Sequence, residues 1–252
     1  MAVPEKYTAG DPWQSLKTFT TARIALGRTG TGLPLKQWLQ FKMAHAHARD
    51  AVYSVLQTEK IVAELEDTGL EVLLLNSQAT GRDHYLQRPD LGRRLHAVAA
   101  ERLQTYAGDY DIVFVVADGL SATAANRHAA ALIKTLLPLF REKGFTMAPV
   151  CLVQQGRVAV GDDIGTLLRA KLVLLLVGER PGLSAPDSLG VYITYKPVPG
   201  LTDESRNCIS NIHAAGLSIT VAAQKINYLV TAALRLQLSG VHLKDESELL
   251  HE

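Results

Sequence analysis

Cysteine, charge of a single sign and long apolar runs are all scarce in this sequence. Its two cysteines, Cys151 and Cys208, are far apart and lack metal-ligand spacing, which is typical of a reducing compartment. The 26 basic and 25 acidic residues nearly cancel, so the one-signed field that favours nucleic-acid or membrane-surface binding is missing. The longest apolar run, residues 172–177, is far shorter than the ~20 residues that span a bilayer. The first six residues lack the apolar stretch of a secretory signal. We therefore expect a soluble, cytoplasmic protein with no nucleic-acid or membrane partner.

The size and composition are those of an ordinary globular protein. The chain has 252 residues, of which 47% are apolar and 20% charged. A folded chain of this length buries ~70–75% of its unfolded surface, so it needs no disulfide or metal to stabilise a core. One large domain, or a domain with a smaller appendage, is expected.

The first quarter of the chain has the pattern of helices. A weak helical segment runs from Trp13 towards Leu26, and a Gly/Thr cluster at residues 27–32 ends it. Pro34 then stands where a second helix begins, with apolar residues at helical spacing as far as about Leu56. A short helix at residues 61–65 stops near Gly69, as is common past a helix end. We interpret residues 1–68 as a small helical N-terminal domain.

Short apolar runs alternate with helical stretches after Gly69. The runs are residues 71–75, 111–117, 146–153, 172–177 and 191–195, and the helical stretches are residues 90–106, 122–140, 163–170 and 221–238. Within a run, apolar and polar residues do not alternate, which indicates strands buried on both faces of a parallel sheet. The sequence therefore predicts an α/β fold with a doubly wound, mostly parallel sheet over residues 69–252. We expect the tail after Gly240 to be loosely held.

Two loops follow predicted strands at the edge where such sheets bind ligands. One is Asp118-Gly119-Leu120-Ser121 and the other is Gly178-Glu179-Arg180-Pro181-Gly182. Glycine lets a backbone approach a ligand closely, and the two carboxylates place charge at this edge. A structural alternative is equally open, in which Asp118 and Ser121 only cap the following helix.

Familiar catalytic and nucleotide-binding signatures are incomplete. Gly27 and Gly32 have the spacing of a phosphate-binding P-loop, but Leu33-Pro34 replace the required Lys and Ser/Thr. The same glycines fail the dinucleotide fingerprint because no strand precedes them. The histidines lack partners at metal-ligand spacing. A thiol nucleophile made from Cys208 and His213 lacks an orienting third group.

Residues 211–216 approach the motif by which some cobalamin proteins supply a histidine ligand to cobalt. That motif is Asp-x-His-x-x-Gly, in which the Asp accepts the second ring hydrogen and raises the basicity of the ligand. Here the sequence is Asn211-Ile212-His213-Ala214-Ala215-Gly216. Asn is a much poorer acceptor, so we predict that His213 does not coordinate cobalt.

A series of segments between Ile24 and Gly216 resembles the small subunit of ethanolamine ammonia-lyase, in the order found in that family. The segments are residues 23–30 with Leu33-Pro34, 45–52, 88–95, 118–121, 156–158, 177–183 and 206–213. The first twenty or so residues and the tail after Gly240 match poorly, so nothing is carried over to them.

The resemblance implies a Rossmann-like domain with a helical extension, acting within a large hetero-oligomer. The family's large subunit is a TIM barrel that carries the substrate site, and adenosylcobalamin lies between the two subunits. Cobalt–carbon homolysis starts a radical reaction that converts ethanolamine to acetaldehyde and ammonia. The family works in the bacterial cytoplasm, often inside a protein-shelled microcompartment.

Within this chain, the resemblance places the cobalamin contacts at Val158, Glu179 and Cys208. A carboxylate at Glu179 can accept hydrogens from corrin amides, while Val158 and the Cys208 segment can pack on the ring. We expect no catalytic residue, no metal ligand and no activity from the chain alone. Two alternatives remain: a free-standing doubly wound enzyme, which lacks a nucleophile–base set here, and a non-catalytic binding or scaffold protein of this fold.

Overall fold

The computed structural model describes residues 11–20 and 22–246. The weak helical segment expected from Trp13 to Leu26 contains one short 3-10 helix, Gln14–Thr18, and the described residues 22–27 are not helical. The longer helix was a wrong prediction. No residue of the 3-10 helix is buried, so it lacks the packing that stabilises a helix in water. The first six residues, in which we found no secretory signal, lie outside the described residues.

Apart from the shortest helix, the helices of the described residues coincide with the segments predicted to be helical from the sequence. They are α1 (Leu35–Tyr53), α2 (Thr58–Leu65), α3 (Arg82–Gln87), α4 (Ala97–Gln104), α5 (Ala122–Glu142), α6 (Val160–Leu168) and α7 (Ile219–Leu236). Helix α1 begins directly after Pro34, as predicted. Gly69 has a φ of 70° and ends the short 3-10 turn that follows α2. Helix α3 was not predicted.

Six strands form one sheet in the order β1-β3-β2-β4-β5-β6. They are β1 (Val72–Asn76), β2 (Tyr110–Ala117), β3 (Val150–Gln154), β4 (Ala170–Gly178), β5 (Leu189–Tyr195) and β6 (Asn207–Ile212). Strands β1 to β4 pair in parallel, whereas β5 and β6 are added antiparallel. The predicted α/β fold with a mostly parallel sheet is confirmed, but β6 was not predicted.

Helices cover the sheet on both faces, which explains the continuous apolar runs. Residues 172, 174 and 176 of β4 pack into a core with α2, α5 and α7. Residues 173, 175 and 177 pack on the opposite face with α4 and α6. Because successive side chains of a strand point to opposite faces, both sets must be apolar. We call the second side the α4/α6 face.

Helix α2 packs into the same core as α5. Its residues Ile61 and Leu65 are fully buried there, and Asn126 of α5 accepts a hydrogen bond from the Gln57 amide at 2.8 Å. Helix α1 buries one residue, Ala51. The division into residues 1–68 and 69–252 stays a prediction.

The segment after α7 is held against the sheet, contrary to expectation. The Asn207 side chain accepts a hydrogen bond from Gly240 N at 2.7 Å and donates to the carbonyls of Gly240 and Leu243 at 3.1 and 2.8 Å. Leu243 is 5% exposed. The expectation of a loose tail was wrong for residues 240–243, because one β6 side chain satisfies their backbone. Residues 247–252 lie outside the described residues.

None of the helices in residues 11–20 and 22–246 has both the length and the apolar composition needed to cross a bilayer.

Candidate functional site

Three loops meet at the carboxyl edge of the parallel strands. They are the β2 loop (residues 118–121), the β3 loop (155–159) and the β4 loop (179–188). Strand β6 ends at the same edge, since Ile212 pairs with Leu189 and Leu189 pairs with Gly178. This is the edge at which ligands bind in open α/β sheets.

Asp118 fixes the β3 loop rather than facing outward. Its carboxylate accepts hydrogen bonds from the amides of Gln155 and Gly156, both at 2.9 Å, and lies 3.8 Å from the Arg82 guanidinium. Burial raises the pKa of Asp118, and the amide hydrogen bonds and the Arg82 charge oppose that rise. Because its oxygens are taken up within the protein, Asp118 is a residue that positions the loop bearing Val158.

Ser121 caps α5, so the structural alternative is correct for Ser121 but not for Asp118, whose carboxylate bonds to the β3 loop instead. Its hydroxyl accepts from the Ala124 amide at 3.4 Å and donates to the Pro186 carbonyl at 2.7 Å. The cap therefore ties the β2 loop to the β4 loop as well.

The glycines at the starts of two loops are needed for packing between those loops. Gly119 has a φ of 56°, and a Cβ there would overlap the Gly178 carbonyl. A Cβ on Gly178 would in turn overlap the Ser121 backbone. The Leu120 amide donates to the Gly178 carbonyl at 2.9 Å. Close approach of the β2 and β4 loops, and not of a ligand, explains these glycines.

Glu179 has one oxygen that is hydrogen-bonded and one that is free within the described residues. Oε2 accepts from the Ser188 hydroxyl at 2.5 Å and from the Asn211 amide at 3.2 Å. Oε1 lies over Gly190, where a Cβ would sit 3.0 Å away. The carboxylate thus joins the ends of β4, β5 and β6 and keeps one oxygen able to accept a hydrogen bond.

Cys208 and Tyr192 face each other beside Glu179. They are register partners on β6 and β5, so their side chains share a face of the sheet. The Cys208 side chain is exposed. Partial desolvation nevertheless raises the pKa of its thiol; hydrogen bonding to Tyr192 opposes the rise, and the charges of Glu179 and Asp203 add to it. The thiol is therefore protonated at neutral pH.

Val158 lies on the same side of the sheet. It packs against the α4/α6 core from the β3 loop, as Tyr192 does from β5. The structure thus brings Glu179, Tyr192 and Cys208 into one cluster and places Val158 on the same face. The half-buried Tyr192 and the exposed Cys208 indicate that described helices leave this part of β5 and β6 uncovered.

The ring nitrogens of His213 are both engaged. Nε2 lies 2.7 Å from Asn211 Oδ1, and Nδ1 accepts from the Ala215 amide at 3.3 Å. Since Asn211 Oδ1 can only accept, the pair describes a neutral ring that carries its hydrogen on Nε2. Within the described residues, no group of three or more His, Cys, Asp or Glu side chains could hold a metal ion.

A buried ion pair supports the Cys208 strand and escaped the sequence analysis. The Arg206 guanidinium makes two 2.7 Å hydrogen bonds to the Asp162 carboxylate and a third, at 3.0 Å, to the Thr194 hydroxyl. Both charged side chains are 1% exposed. The pair joins the residue just before β6 to α6. The residue spacing contains no signal for it, because the partners meet only through the unpredicted β5–β6 pairing.

The comparisons with known proteins all indicate the same family. The family profile described as Ethanolamine ammonia-lyase light chain (EutC) matches residues 10–244. A protein of Pseudomonas syringae pv. tomato named ethanolamine ammonia-lyase small subunit is 52% identical over 98% of this chain and 88% of its own length. Proteins of the same name from Azotobacter vinelandii and Xanthomonas campestris pv. campestris are 53% and 52% identical, over 94% of this chain and 90% and 89% of theirs.

Proposed function

Because the chain belongs to the ethanolamine ammonia-lyase light-chain family, we propose that it holds adenosylcobalamin against a TIM-barrel large subunit. The family makes it a subunit of a carbon–nitrogen lyase. In this proposal the assembled enzyme converts ethanolamine to acetaldehyde and ammonia by a radical reaction. We place the hetero-oligomer in the bacterial cytoplasm, where a microcompartment can enclose it.

The residues on the α4/α6 face have the chemistry that a corrin rim requires. Oε1 of Glu179 is free to accept hydrogens from corrin amide side chains, and a charged acceptor strengthens such bonds. The protonated thiol of Cys208 can donate a weak hydrogen bond, and Val158 and the Tyr192 ring offer apolar surface. When bound, the cofactor supplies the cobalt–carbon bond whose homolysis begins the reaction. The residues of this chain orient it and exclude water from one side.

One observation supports this proposal above the others. Glu179, which its loop position and the family resemblance both selected, and Cys208, which the resemblance alone selected, both lie beside Tyr192 on the α4/α6 face of the sheet. The β4–β5–β6 pairing brings these two residues together, although two loops and strand β5 separate them in the sequence.

The surface of helix α1 supports a protein partner. Leu35, Leu39 and Met43 recur at helical spacing and are 70%, 55% and 59% exposed. A contiguous apolar stripe of this kind is unusual on a surface that stays in water. The C-terminal end of α1 meets the carboxyl edge of the sheet, where Arg82 donates to the Val52 and Gly119 carbonyls. We assign the stripe to the large subunit, which covers the cofactor at that edge.

Reconstitution tests the proposal. This chain, the large subunit and their mixture are each supplied with adenosylcobalamin and ethanolamine, and acetaldehyde is measured with a coupled alcohol dehydrogenase. We expect activity from the mixture alone, because no acid–base or substrate-binding constellation was found in this chain. Acetaldehyde formed by this chain alone, or a stable complex that takes up no cobalamin, would contradict the proposal.

A further inference from the structure

Arg157 is a half-buried arginine in the β3 loop, immediately before Val158. Its guanidinium carbon lies 4.5 Å from the centroid of the buried Tyr85 ring, and its stem packs on Gly92, where a Cβ would lie 2.8 Å from Arg157 Cγ. The Arg157 amide donates to the Gly92 carbonyl at 2.7 Å. Stacking and backbone pairing therefore hold this side chain in one place at the ligand edge.

The charge of Arg157 has no acidic partner within the described residues. Its Nε is buried and makes no hydrogen bond there. Two other enclosed arginines each reach a carboxylate: Arg82 reaches Asp118 and Arg206 reaches Asp162, at 3.8 and 2.7 Å. Enclosed charges in proteins are normally paired, because removing an unpaired charge from water is costly. Within the described residues, the folded chain therefore supplies no acidic acceptor for the Arg157 guanidinium.

We propose that Arg157 binds the phosphodiester of cobalamin, an inference that rests on the proposed function. Cobalamin carries neutral amides around the corrin ring and an anionic phosphodiester in the loop leading to its dimethylbenzimidazole base. A guanidinium presents a planar fork of donors that matches phosphate oxygens. In this proposal the Glu179 carboxylate accepts hydrogen bonds from the corrin amides, and the Arg157 guanidinium donates hydrogen bonds to the anionic phosphodiester. The β4 and β3 loops therefore bind different groups of one ligand.

The test compares two corrinoids on the complex reconstituted with the large subunit. Hydroxocobalamin contains the phosphodiester, and aquacyanocobinamide lacks it together with the base. Visible-absorption titration should show that Arg157→Gln raises the Kd for hydroxocobalamin by about 10- to 100-fold. The Kd for cobinamide should change little. Arg157→Lys should fall between wild type and Arg157→Gln, because it keeps the charge and loses the planar fork.

Arg102→Gln is the matched control, since it removes one exposed positive charge from α4. Phosphorus NMR of saturated complexes gives a second readout: the phosphodiester resonance should move in Arg157→Gln and stay in place in Arg102→Gln. An unmoved resonance, an unchanged Kd, or equal losses for both corrinoids would overturn the inference. So would separation of the subunits in Arg157→Gln. Failure of the wild-type complex to bind cobalamin would instead overturn the proposed function.

Discussion

At Glu179, the two oxygens of one carboxylate have different surroundings. Oε2 ties the β4 loop to β6 through Ser188 and Asn211, and Oε1 lies beside Gly190 without a hydrogen bond in the described residues. A purely structural alternative for Glu179 is an ion pair with the neighbouring Arg180. No ion pair of the described residues includes Glu179; Ser188 and Asn211 orient its carboxylate through Oε2.

We predict that Glu179→Ala weakens cobalamin binding without separating the subunits. A hydrogen bond to a charged group contributes ~1.5–3 kcal/mol, so the Kd should rise by roughly one to two orders of magnitude. Absorption titration measures the Kd, and size-exclusion chromatography follows assembly. Ser188→Ala is the control, because it removes one internal bond and leaves Oε1 in place; its effect should be smaller. Unchanged affinity, or subunits that separate before the cofactor leaves, would count against the prediction.

The environment of His213 predicts that cobalt keeps its own dimethylbenzimidazole base. Both ring nitrogens already have partners, Asn211 Oδ1 and the Ala215 amide. The measurement is electron paramagnetic resonance of the cob(II)alamin state of the complex, with histidines labelled by nitrogen-15. We expect nitrogen splittings identical to those of the unlabelled complex. Altered splitting would identify histidine as the ligand and show the prediction to be wrong.

The surroundings of Cys208 predict how its reactivity depends on pH. The pKa of its thiol lies above the ordinary value of ~8.5, so alkylation by iodoacetamide should be slow at pH 8 and rise only at more alkaline pH. Glu179→Gln removes a charge that raises this pKa and should accelerate alkylation at pH 8. Tyr192→Phe removes a hydrogen bond that lowers it and should slow alkylation.

Mass spectrometry of the alkylated chain reports Cys208 alone, since Cys151 is fully buried. Cys208→Ser provides the blank. Equal rates in the wild type and the two variants would mean that neither neighbour acts on the thiol.

At the scale of elements, the Arg206–Asp162 pair joins the start of β6 to α6, because Arg206 directly precedes the strand. We predict that Asp162→Ala lowers the free energy of unfolding by ~3–5 kcal/mol, because the buried Arg206 charge then keeps only the exposed Asp203 carboxylate, 3.8 Å away. Replacing both residues, as Asp162→Leu with Arg206→Met, should lose less than the single change. Urea unfolding followed by circular dichroism measures both.

The surface pair Arg88–Asp90 is the matched control for that experiment. Both of its side chains are more than half exposed, so Asp90→Ala should leave the unfolding midpoint unchanged. A double variant that is no more stable than Asp162→Ala would show that lost packing, and not the loss of the buried carboxylate beside Arg206, causes the destabilisation.

The helices and strands that were predicted correctly are those with the strongest local pattern of apolar residues. The apolar runs of β2 and β4 and the long periodic helices α1, α5 and α7 were found, with ends off by a few residues. Strand β6 was missed because it is a polar edge strand whose buried residues, Ile209 and Ile212, are three apart, near a register shift in the β5–β6 pairing. Helix α3 has six residues, too few to show a helical period.

At the scale of the whole molecule, the fold class follows from the sequence but the site does not. Buried parallel strands have a distinctive composition, so a doubly wound sheet could be predicted directly. Loop position alone left Asp118 and Glu179 equivalent, although one is taken up internally and the other has a free oxygen. Family resemblance selected Val158, Glu179 and Cys208. Tyr192 and Arg157 could be assigned to the site only from their contacts with residues that are distant in the sequence.

The strand order also determines when β1 can pair during synthesis on the ribosome. Strand β1 is made early, yet its neighbour in the sheet is β3, with Val72 paired to Val150. At a synthesis rate of ~5–20 residues per second, β1 waits about 4–15 s for residues 150–154 to be made. During that interval an apolar strand has no partner and can associate with other nascent chains. Slower initiation of translation or a lower growth temperature should therefore increase the yield of folded protein. Mutations that stabilise the finished fold should increase that yield less.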